Sequence, residues 1–198
     1  SKKYSIYEHG RPLFTLRFER TDTGFQYCLQ QTAGSQTCES IASDSYSIAC
    51  ERVLAVLTEI TDYDATAITS VVVRVVAPGM YFQEHRIIDD EYYERLSAQT
   101  PVAPLHIPTV LEEIAQLRSA LPEAKLIGAS DSAFHATLPS VARRYSLDPT
   151  FADKADLYRF GYHGLSVSSV LRRVHAVTGR DWSRVVVCHV GSGVSVTA

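Results

Sequence analysis

An aspartate at the predicted end of a strand is the first candidate for chemistry in this chain. Asp131 follows a short predicted strand at residues 125–129 and stands shortly before His135. In open α/β sheets, ligands bind beyond the carboxyl ends of the strands. A carboxylate at such a place can hold Mg²⁺ or orient a phosphoryl group. The alternative is a helix N-cap, because Asp131 and the serines on either side of it are all residue types that favour that position.

A single arginine interrupts an apolar run, and it is the second candidate. Arg74 stands among valines at residues 71–76. Burying an unpaired guanidinium group is costly, so we expect it to have an anionic partner, either a protein carboxylate or an anionic ligand. Arginine suits such a partner because its planar group binds a carboxylate or a phosphate through two hydrogen bonds. The alternative is an arginine at the edge of a strand that reaches solvent.

Two histidines lie beside glycines. His163 stands in the segment Gly161-Tyr162-His163-Gly164, and His189 precedes the turn Gly191-Ser192-Gly193. Glycines let the backbone approach a ligand closely, and an imidazole can stabilise charge on a transferring phosphoryl group. Backbone N–H groups in a glycine-rich turn can also cradle a phosphate. The alternatives are a histidine in a turn before a helix and an ordinary hairpin turn.

The composition is that of an ordinary globular protein. The 198 residues are 45% hydrophobic and 21% charged, with a net charge of −3. This length suits one sizeable domain, or one domain and a fragment. The charge does not suggest a nucleic-acid partner or a membrane surface, and no apolar run approaches a membrane span. The four cysteines are irregularly spaced, so a reduced cytosolic protein is the simplest interpretation, although Cys28 and Cys38 could pair.

The elements that must position these side chains follow from the hydrophobic pattern. Strands are predicted on both sides of the turn at residues 9–12 and at residues 25–29, with a polar loop or hairpin tip at residues 30–40. Helices are predicted at residues 45–60, 108–121 and 166–177, and Gly179 ends the last of them. Strands buried on both faces are predicted at residues 68–76 and 184–190, and a final strand at residues 194–198. Strands first, followed by alternating helices and strands, predict a layered α/β domain.

Three blocks of the chain together resemble a known family. The segments Ala133-Phe134-His135-Ala136-Thr137-Leu138-Pro139, Arg159-Phe160-Gly161-Tyr162-His163-Gly164 and His189-Val190-Gly191-Ser192-Gly193-Val194-Ser195-Val196 are similar in order and spacing to AFHQTMP, RYGFHGTSH and HLGNGASV of acetate kinases. The segment at residues 73–76 resembles the family strand that carries a substrate-site arginine. The segment at residues 102–106 resembles the family motif LAPLHNP.

The resemblance implies roles for individual residues. Arg74 takes the place of the arginine that binds the carboxylate, and His163 that of the histidine implicated in transition-state stabilisation. Asp131 takes the place of an essential aspartate, which would position Mg²⁺ or the acceptor. The remaining substrate- and phosphate-contacting positions would be His106, His189, Gly191, Ser192 and Gly193.

The resemblance also implies a fold and a reaction. The fold would be ribonuclease H-like, of the actin-like ATPase type, with a mixed β-sheet flanked by helices. The reaction would be direct phosphoryl transfer from ATP to acetate or propionate, with Mg²⁺, in a cytoplasmic homodimer. A longer acid such as butyrate is a weaker possibility. An alternative from another class is a non-catalytic domain of the same fold that binds a carboxylate, a phosphate or a protein partner.

The chain departs from the family motifs at several positions. Ala77-Pro78-Gly79 stands where the family has HGG, Ile107 where it has Asn, Leu165-Ser166-Val167 where it has Thr-Ser-His, and Ser192 where it has Asn. These changes remove hydrogen-bonding groups near the expected phosphate path but leave Arg74, Asp131, His163 and His189. An altered substrate size and a reduced activity are both consistent with them.

The resemblance also sets expected domain boundaries. Residues 1–183 would be an N-terminal acetate kinase-like domain without its opening strand and phosphate loop. Residues 184–198 would be the first hairpin of a C-terminal nucleotide-binding domain. We therefore expect the 198-residue chain alone to have no kinase activity.

Overall fold

A computed structural model describes residues 1–32 and 34–198 of the chain. They form two compact units. The first comprises Ser1–Thr69 and Gln116–Glu123, and the second comprises Ser70–Ala115 and Ala124–Ala198. Among the described residues, no helix combines the length and the apolar character needed to cross a membrane.

The first unit is an antiparallel sheet with a helix packed on it. Its strands pair in chain order and are followed by two helices: β1 (Lys2–Glu8), β2 (Arg11–Thr21), β3 (Gly24–Gln31), β4 (Thr37–Ile41), α1 (Ser43–Ser47) and α2 (Ala49–Ile60). Alternate residues of β2 point to one face, so Phe14, Leu16 and Phe18 are all buried. Val53 and Leu57, one turn apart on α2, are buried in the same hydrophobic cluster.

Two sequence predictions in this unit need correction. The helix predicted at residues 45–60 is two helices, since Ile48 leaves the helical conformation and is 45% exposed instead of buried. The loop or hairpin tip predicted at residues 30–40 is a hairpin tip, and it is shorter than predicted because β4 begins at Thr37 and pairs with β3. Ala33, which falls within that predicted loop, lies outside the described residues.

The hairpin of β3 and β4 also corrects the interpretation of the cysteines. Cys28 and Cys38 are directly opposite each other in the register, with Cα atoms 4.1 Å apart, and they form a disulfide. Neither Cys50, which is buried, nor Cys188, which is exposed, takes part in a disulfide. The alternative pairing is therefore the one observed. The hairpin tip was one of the two alternatives for this segment, but the sequence did not indicate the register that brings the two cysteines together.

The second unit holds a mixed sheet and the remaining helices. In its sheet, β7 (Lys125–Ser130) is central, with β5 (Ser70–Val75) parallel on one side and β6 (Arg86–Ile87) antiparallel on the other. The helices are α3 (Asp90–Ala98), α4 (Ile107–Ala120), α5 (Ser140–Arg143), α6 (Pro149–Lys154) and α7 (Gly164–Thr178), of which α4 continues into the first unit. Strands β8 (Val187–Val190) and β9 (Val194–Thr197) form an antiparallel hairpin.

In the described part of the chain, short 3-10 turns also occur at Ala65–Ala67, Met80–Phe82 and Ala133–His135. Helix α3 is absent from the sequence prediction, yet its start carries a local signal. The side chain of Asp89 accepts a hydrogen bond from the N–H of Tyr92, and two further acidic residues follow in the first turn. Helix α7 begins two residues before the predicted start and ends, as predicted, at Gly179 in the left-handed conformation.

The two strands predicted to be buried on both faces, β5 and β8, are each exposed on one face. In β5, Val75 is fully buried but Val72 is 64% exposed, and Arg74 lies on the exposed face. In β8, Val187 is buried while Val190 is 77% exposed, and the strand begins three residues after the predicted start. Each strand has one covered face. A run of valines indicates a strand, but the run does not indicate how many faces are covered.

We predict that Gly128→Ala destabilises the second unit. A Cβ atom at Gly128 would lie 2.4 Å from the hydroxyl oxygen of Tyr92 and 2.7 Å from the ring carbon that bears it. Tyr92 is fully buried and its ring cannot withdraw, so overpacking should lower the free energy of unfolding by about 1–3 kcal/mol or more. Urea denaturation measures this. Gly34→Ala is the matched control, because a Cβ there meets only Gln31, at 3.7 Å. Equal stability of the two variants would contradict the prediction.

Candidate functional site

A buried carboxylate at the end of β7 is the centre of the candidate site. Asp131 is 1% exposed. Its Oδ2 atom accepts hydrogen bonds from Nη2 of Arg74 and from the backbone N–H of His163, both at 2.8 Å, and its Oδ1 lies 3.4 Å from Nε of Arg74. The main chain of Asp131 adds two bonds, from its N–H to the carbonyl of Val75 and from the N–H of Gly164 to its carbonyl, both 2.9 Å. One residue therefore joins β5, β7 and the start of α7.

This geometry refines the N-cap alternative. The 3-10 turn after Asp131 has Ser132 as its N-cap residue, with no side-chain capping bond. The carboxylate instead lies at the beginning of α7, where His163 is the N-cap residue. A negative charge at a helix N-terminus is stabilised by the helix dipole. Asp131 therefore stabilises a helix that begins more than thirty residues later in the chain, which local sequence could not indicate.

The same contacts keep the carboxyl group ionised. Burial favours the neutral acid and acts to raise the pKa of Asp131. The hydrogen bond and charge of Arg74, together with the N–H groups of His163 and Leu165, act the other way and prevail, so the pKa lies below the usual value. Asp131 is therefore an anion near neutral pH.

Arg74 has a protein partner and still faces outward. Its guanidinium group is paired with Asp131, but 59% of its side chain is exposed. Both alternatives from the sequence are thus realised in part, since the arginine has a carboxylate partner and also reaches the surface. Arginine carries five N–H donors, and the pairing with Asp131 engages only some of them. The exposed donors can bind an anion.

Two glycines near Asp131, Gly161 and Gly164, lie in close contact with neighbouring parts of the chain. A Cβ atom at Gly164 would lie 2.3 Å from the carbonyl oxygen of Asp131, and one at Gly161 would lie 2.5 Å from the ring of His135. Gly161 and His163 both have positive φ angles, of 74° and 59°. A left-handed conformation is uncommon for a histidine and is maintained here by the bonds on either side of it. His135 itself is buried, with Nε2 3.0 Å from the carbonyl oxygen of Tyr162.

His163 and His189 form a stacked pair. Their ring centroids are 4.0 Å apart with an angle of 15° between the planes. Each imidazole also contacts a serine through Nδ1: His163 lies 2.8 Å from Oγ of Ser195, and His189 lies 3.0 Å from Oγ of Ser166. Both histidines were predicted site residues, whereas neither serine was identified from the sequence. The only available signal was their place within the motif blocks.

The predicted phosphate turn is compact. The N–H of Gly191 donates to the carbonyl of Gly193 at 3.1 Å, so this N–H is used within the turn. Ser192 is exposed at its tip. Gly193 packs on the edge of His163, where a Cβ would lie 3.3 Å from both Cε1 and Nε2. The structure thus brings Arg74, Asp131, His163, His189 and this turn into one connected set of contacts.

His106 is placed differently from those residues. It is exposed in the turn before α4. Within the described residues, no hydrogen bond, ion pair or ring contact joins its side chain to Arg74, Asp131 or His163. Its role as a substrate contact stays a prediction.

The surroundings of Asp131 bear on whether this carboxylate could hold Mg²⁺. The described residues contain no group of three or more His, Cys, Asp or Glu side chains that could hold a metal ion. Asp131 is buried and both its carboxylate oxygens face Arg74, whereas a Mg²⁺ ligand normally shares its shell with several waters. The expected Mg²⁺ contact of Asp131 is therefore not supported by its surroundings, which suit an orienting role.

Comparison with solved structures defines the class of fold. A propionate kinase from Francisella tularensis superimposes with a TM-score of 0.81 at 26% identity, covering 96% of this chain and 48% of that one. Acetate kinase from Porphyromonas gingivalis gives a TM-score of 0.80 at 28% identity, covering 98% and 51%. The predicted fold class is confirmed: the molecule has the actin-like ATPase fold, with mixed α/β structure and sheets flanked by helices.

Sequence comparison then identifies the family. The profile of the Acetokinase family matches residues 1–198. Acetate kinases from Brachyspira hyodysenteriae and Streptomyces coelicolor are 36% and 35% identical over 135 and 137 residues, which cover 68% of this chain and 34% of each relative. The chain belongs to the acetokinase family, as its motifs indicated. It spans about a third of these curated relatives and about half of the matched structures.

We predict that Asp131→Asn destabilises the protein most near neutral pH. The folded-state pKa of Asp131 is depressed, so its stabilising contribution is complete above the unfolded-state pKa and disappears as the pH falls through the folded-state pKa. Loss of the charged hydrogen bonds should lower the free energy of unfolding by about 1–3 kcal/mol at pH 7 and by less at pH 3.

Urea denaturation at the two pH values tests this prediction. Asp22→Asn, in the exposed turn between β2 and β3, is the control for loss of one negative charge. A penalty for Asp131→Asn that is the same at pH 3 and pH 7 would contradict an ionised, paired carboxylate.

Proposed function

We propose that this chain supplies the carboxylate-binding part of a short-chain carboxylate kinase. The reaction is the transfer of the γ-phosphoryl group of ATP to acetate or propionate, giving ADP and an acyl phosphate. The names of the relatives suggest these substrates, since the matched proteins are acetate kinases and a propionate kinase. The observation that carries the proposal is an exposed Arg74 whose orientation is fixed by the buried, ionised Asp131.

The geometry suits a direct transfer. A carboxylate oxygen attacks the γ-phosphorus, the new P–O bond forms, and the bond to the β-phosphate oxygen breaks, leaving ADP. Such a transfer needs positioning and positive charge more than a covalent nucleophile. Arg74 binds the carboxylate, and the stacked His163 and His189 offer N–H donors to the phosphoryl oxygens. Asp131 holds Arg74 and the start of α7 in place.

ATP and Mg²⁺ belong to this proposal as substrate and cofactor. Mg²⁺ would neutralise charge on the phosphates of ATP, and its ligands would come from the nucleotide and from parts of the protein other than the site around Asp131. The proposal also includes a cytoplasmic homodimer. The domain boundary at residue 184 and the inactivity of the isolated 198-residue chain stay predictions.

The departures from the family motifs bear on which acid is preferred. Ala77-Pro78-Gly79 follows the arginine strand, and Leu165 follows Gly164 at the start of α7. These residues are more apolar than the family's histidine and threonine at those places. The preference among acetate, propionate and butyrate is therefore part of what an assay with the three acids measures.

We predict that the intact gene product forms acyl phosphates and that Arg74→Ala removes this activity. Activity is measured with acetate, propionate and butyrate by trapping the product as a hydroxamate. Loss of charged hydrogen bonds to the carboxylate should reduce kcat/KM by roughly 100-fold, with a raised KM for the acid. Arg173→Ala, on an exposed position of α7, is the matched control and should leave the activity unchanged.

Two results would contradict this proposal. Folded protein without activity towards any of the three acids would favour the alternative, a non-catalytic binding domain of the same fold. Activity that persists in Arg74→Ala at the level of Arg173→Ala would exclude Arg74 as the carboxylate contact.

A further inference from the structure

Two serine hydroxyl groups contact the Nδ1 atoms of the stacked histidines. This inference rests on the proposed function, because it concerns how the site orients its imidazoles. Ser195 on β9 lies 2.8 Å from Nδ1 of His163, and Ser166 on α7 lies 3.0 Å from Nδ1 of His189. The contacts cross over, since each histidine is supported by a serine from the element that carries the other histidine's motif. They therefore connect the start of α7 with the hairpin of β8 and β9.

The far side of each ring meets the glycine turn. A Cβ at Gly193 would lie 3.3 Å from Nε2 of His163, and a Cβ at Gly191 would lie 3.8 Å from Nε2 of His189. With Nδ1 engaged by a serine, Nε2 is the remaining polar atom of each ring. Glycine at both positions leaves these atoms uncovered. The two Nε2 atoms thus face the same turn.

A hydroxyl partner at Nδ1 has a specific chemical consequence. A backbone carbonyl can only accept, so it would require the proton of a neutral imidazole to be on Nδ1. A serine hydroxyl can donate to Nδ1, which leaves the proton on Nε2, and it can also accept from Nδ1–H when the ring is charged. In these two arrangements Nε2–H can donate a hydrogen bond to an anionic oxygen, whereas a neutral ring that donates from Nδ1–H to the serine has Nε2 as an acceptor.

We propose that Ser195 and Ser166 are positioning residues that hold His163 and His189 with Nε2–H directed at the Gly191–Gly193 turn, as a paired donor for phosphoryl oxygens. Each serine acts through its histidine and does not contact the substrate. The stacking of the rings at 4.0 Å makes the arrangement mutual, because rotation of one ring would disturb the other.

The tautomer of His163 tests this proposal directly. In the protein with ¹⁵N-labelled histidine, the nitrogen shifts of neutral His163 should show a proton on Nε2. Ser195→Ala should give a mixture of tautomers and a changed ring environment. Ser195→Thr, which keeps the hydroxyl, should restore the wild-type spectrum. Thr197→Val is the control, since Thr197 is on the same face of β9 and the change removes a hydroxyl while keeping the shape.

Kinetics give a second readout in the intact gene product. Misplacing His163 should lower kcat for acyl phosphate formation by about 10- to 100-fold, with the KM of the carboxylate changed by no more than about threefold. In a His163→Ala background, Ser195→Ala should have no additional effect, because the serine acts only through that imidazole.

The outcomes separate this inference from the proposed function. An unchanged tautomer and ring environment in Ser195→Ala overturns the inference even if the enzyme is active. The predicted spectral change in a protein without kinase activity supports the positioning role while contradicting the proposed function. If Ser195→Ala does not fold, Ser166→Ala provides the same spectral test at His189.

Discussion

The carboxylate of Asp131 is the contact on which the site depends most. It accepts hydrogen bonds from the guanidinium group of Arg74 and from the backbone of His163, while its main chain bonds to Val75 and Gly164. A buried carboxylate is tolerated only when its oxygens are satisfied, and here Arg74 on β5 and the backbone at the start of α7 supply the donors. The charge is therefore a condition for the relative placement of β5, β7 and α7. The orientation of Arg74 and the starting point of α7 are both consequences of it.

Close backbone approach is the second constraint. Gly164 can lie against the carbonyl of Asp131 only because it has no side chain, and Gly161 allows the ring of His135 to pack against the chain. Between these two glycines, His163 adopts a left-handed conformation that directs its imidazole towards β9. The glycines beside the histidine therefore serve the packing of the protein itself. Their presence in the motif does not require a direct contact with a ligand.

The stacked histidines connect this backbone arrangement to the hairpin at the end of the described chain. His163 belongs to the start of α7 and His189 to β8, so their stacking and the two serine contacts join elements that are separated in sequence. The proposed chemistry uses Arg74 on one side and the imidazoles on the other. A phosphoryl acceptor bound by Arg74 and a phosphoryl group near Nε2–H donors are the two requirements of the transfer. Asp131 contacts the guanidinium group of Arg74 and the backbone N–H of His163, so a buried residue without substrate access can position both groups for the proposed reaction.

The sequence by itself determined the elements with strong local signals. The α4 and α7 helices, β7 and the hairpin of β8 and β9 lie where apolar periodicity, Pro108 and Gly179 predict them, to within a few residues. The motif blocks determined the family and the fold, since their order and spacing are specific even though each block alone is not. They also selected Arg74, Asp131, His163 and His189 as one group, which the structure brings into mutual contact.

Tertiary structure decided what local pattern does not encode. Whether a valine-rich strand is covered on one face or two depends on its neighbours, so β5 and β8 were predicted correctly as strands but their burial was predicted incorrectly. The Cys28–Cys38 disulfide depends on the register of β3 with β4. The partner of Arg74 lies 57 residues away, and the serines behind the histidines act across elements. Hydrogen bonds between distant residues are fixed by packing, and only the folded chain defines them.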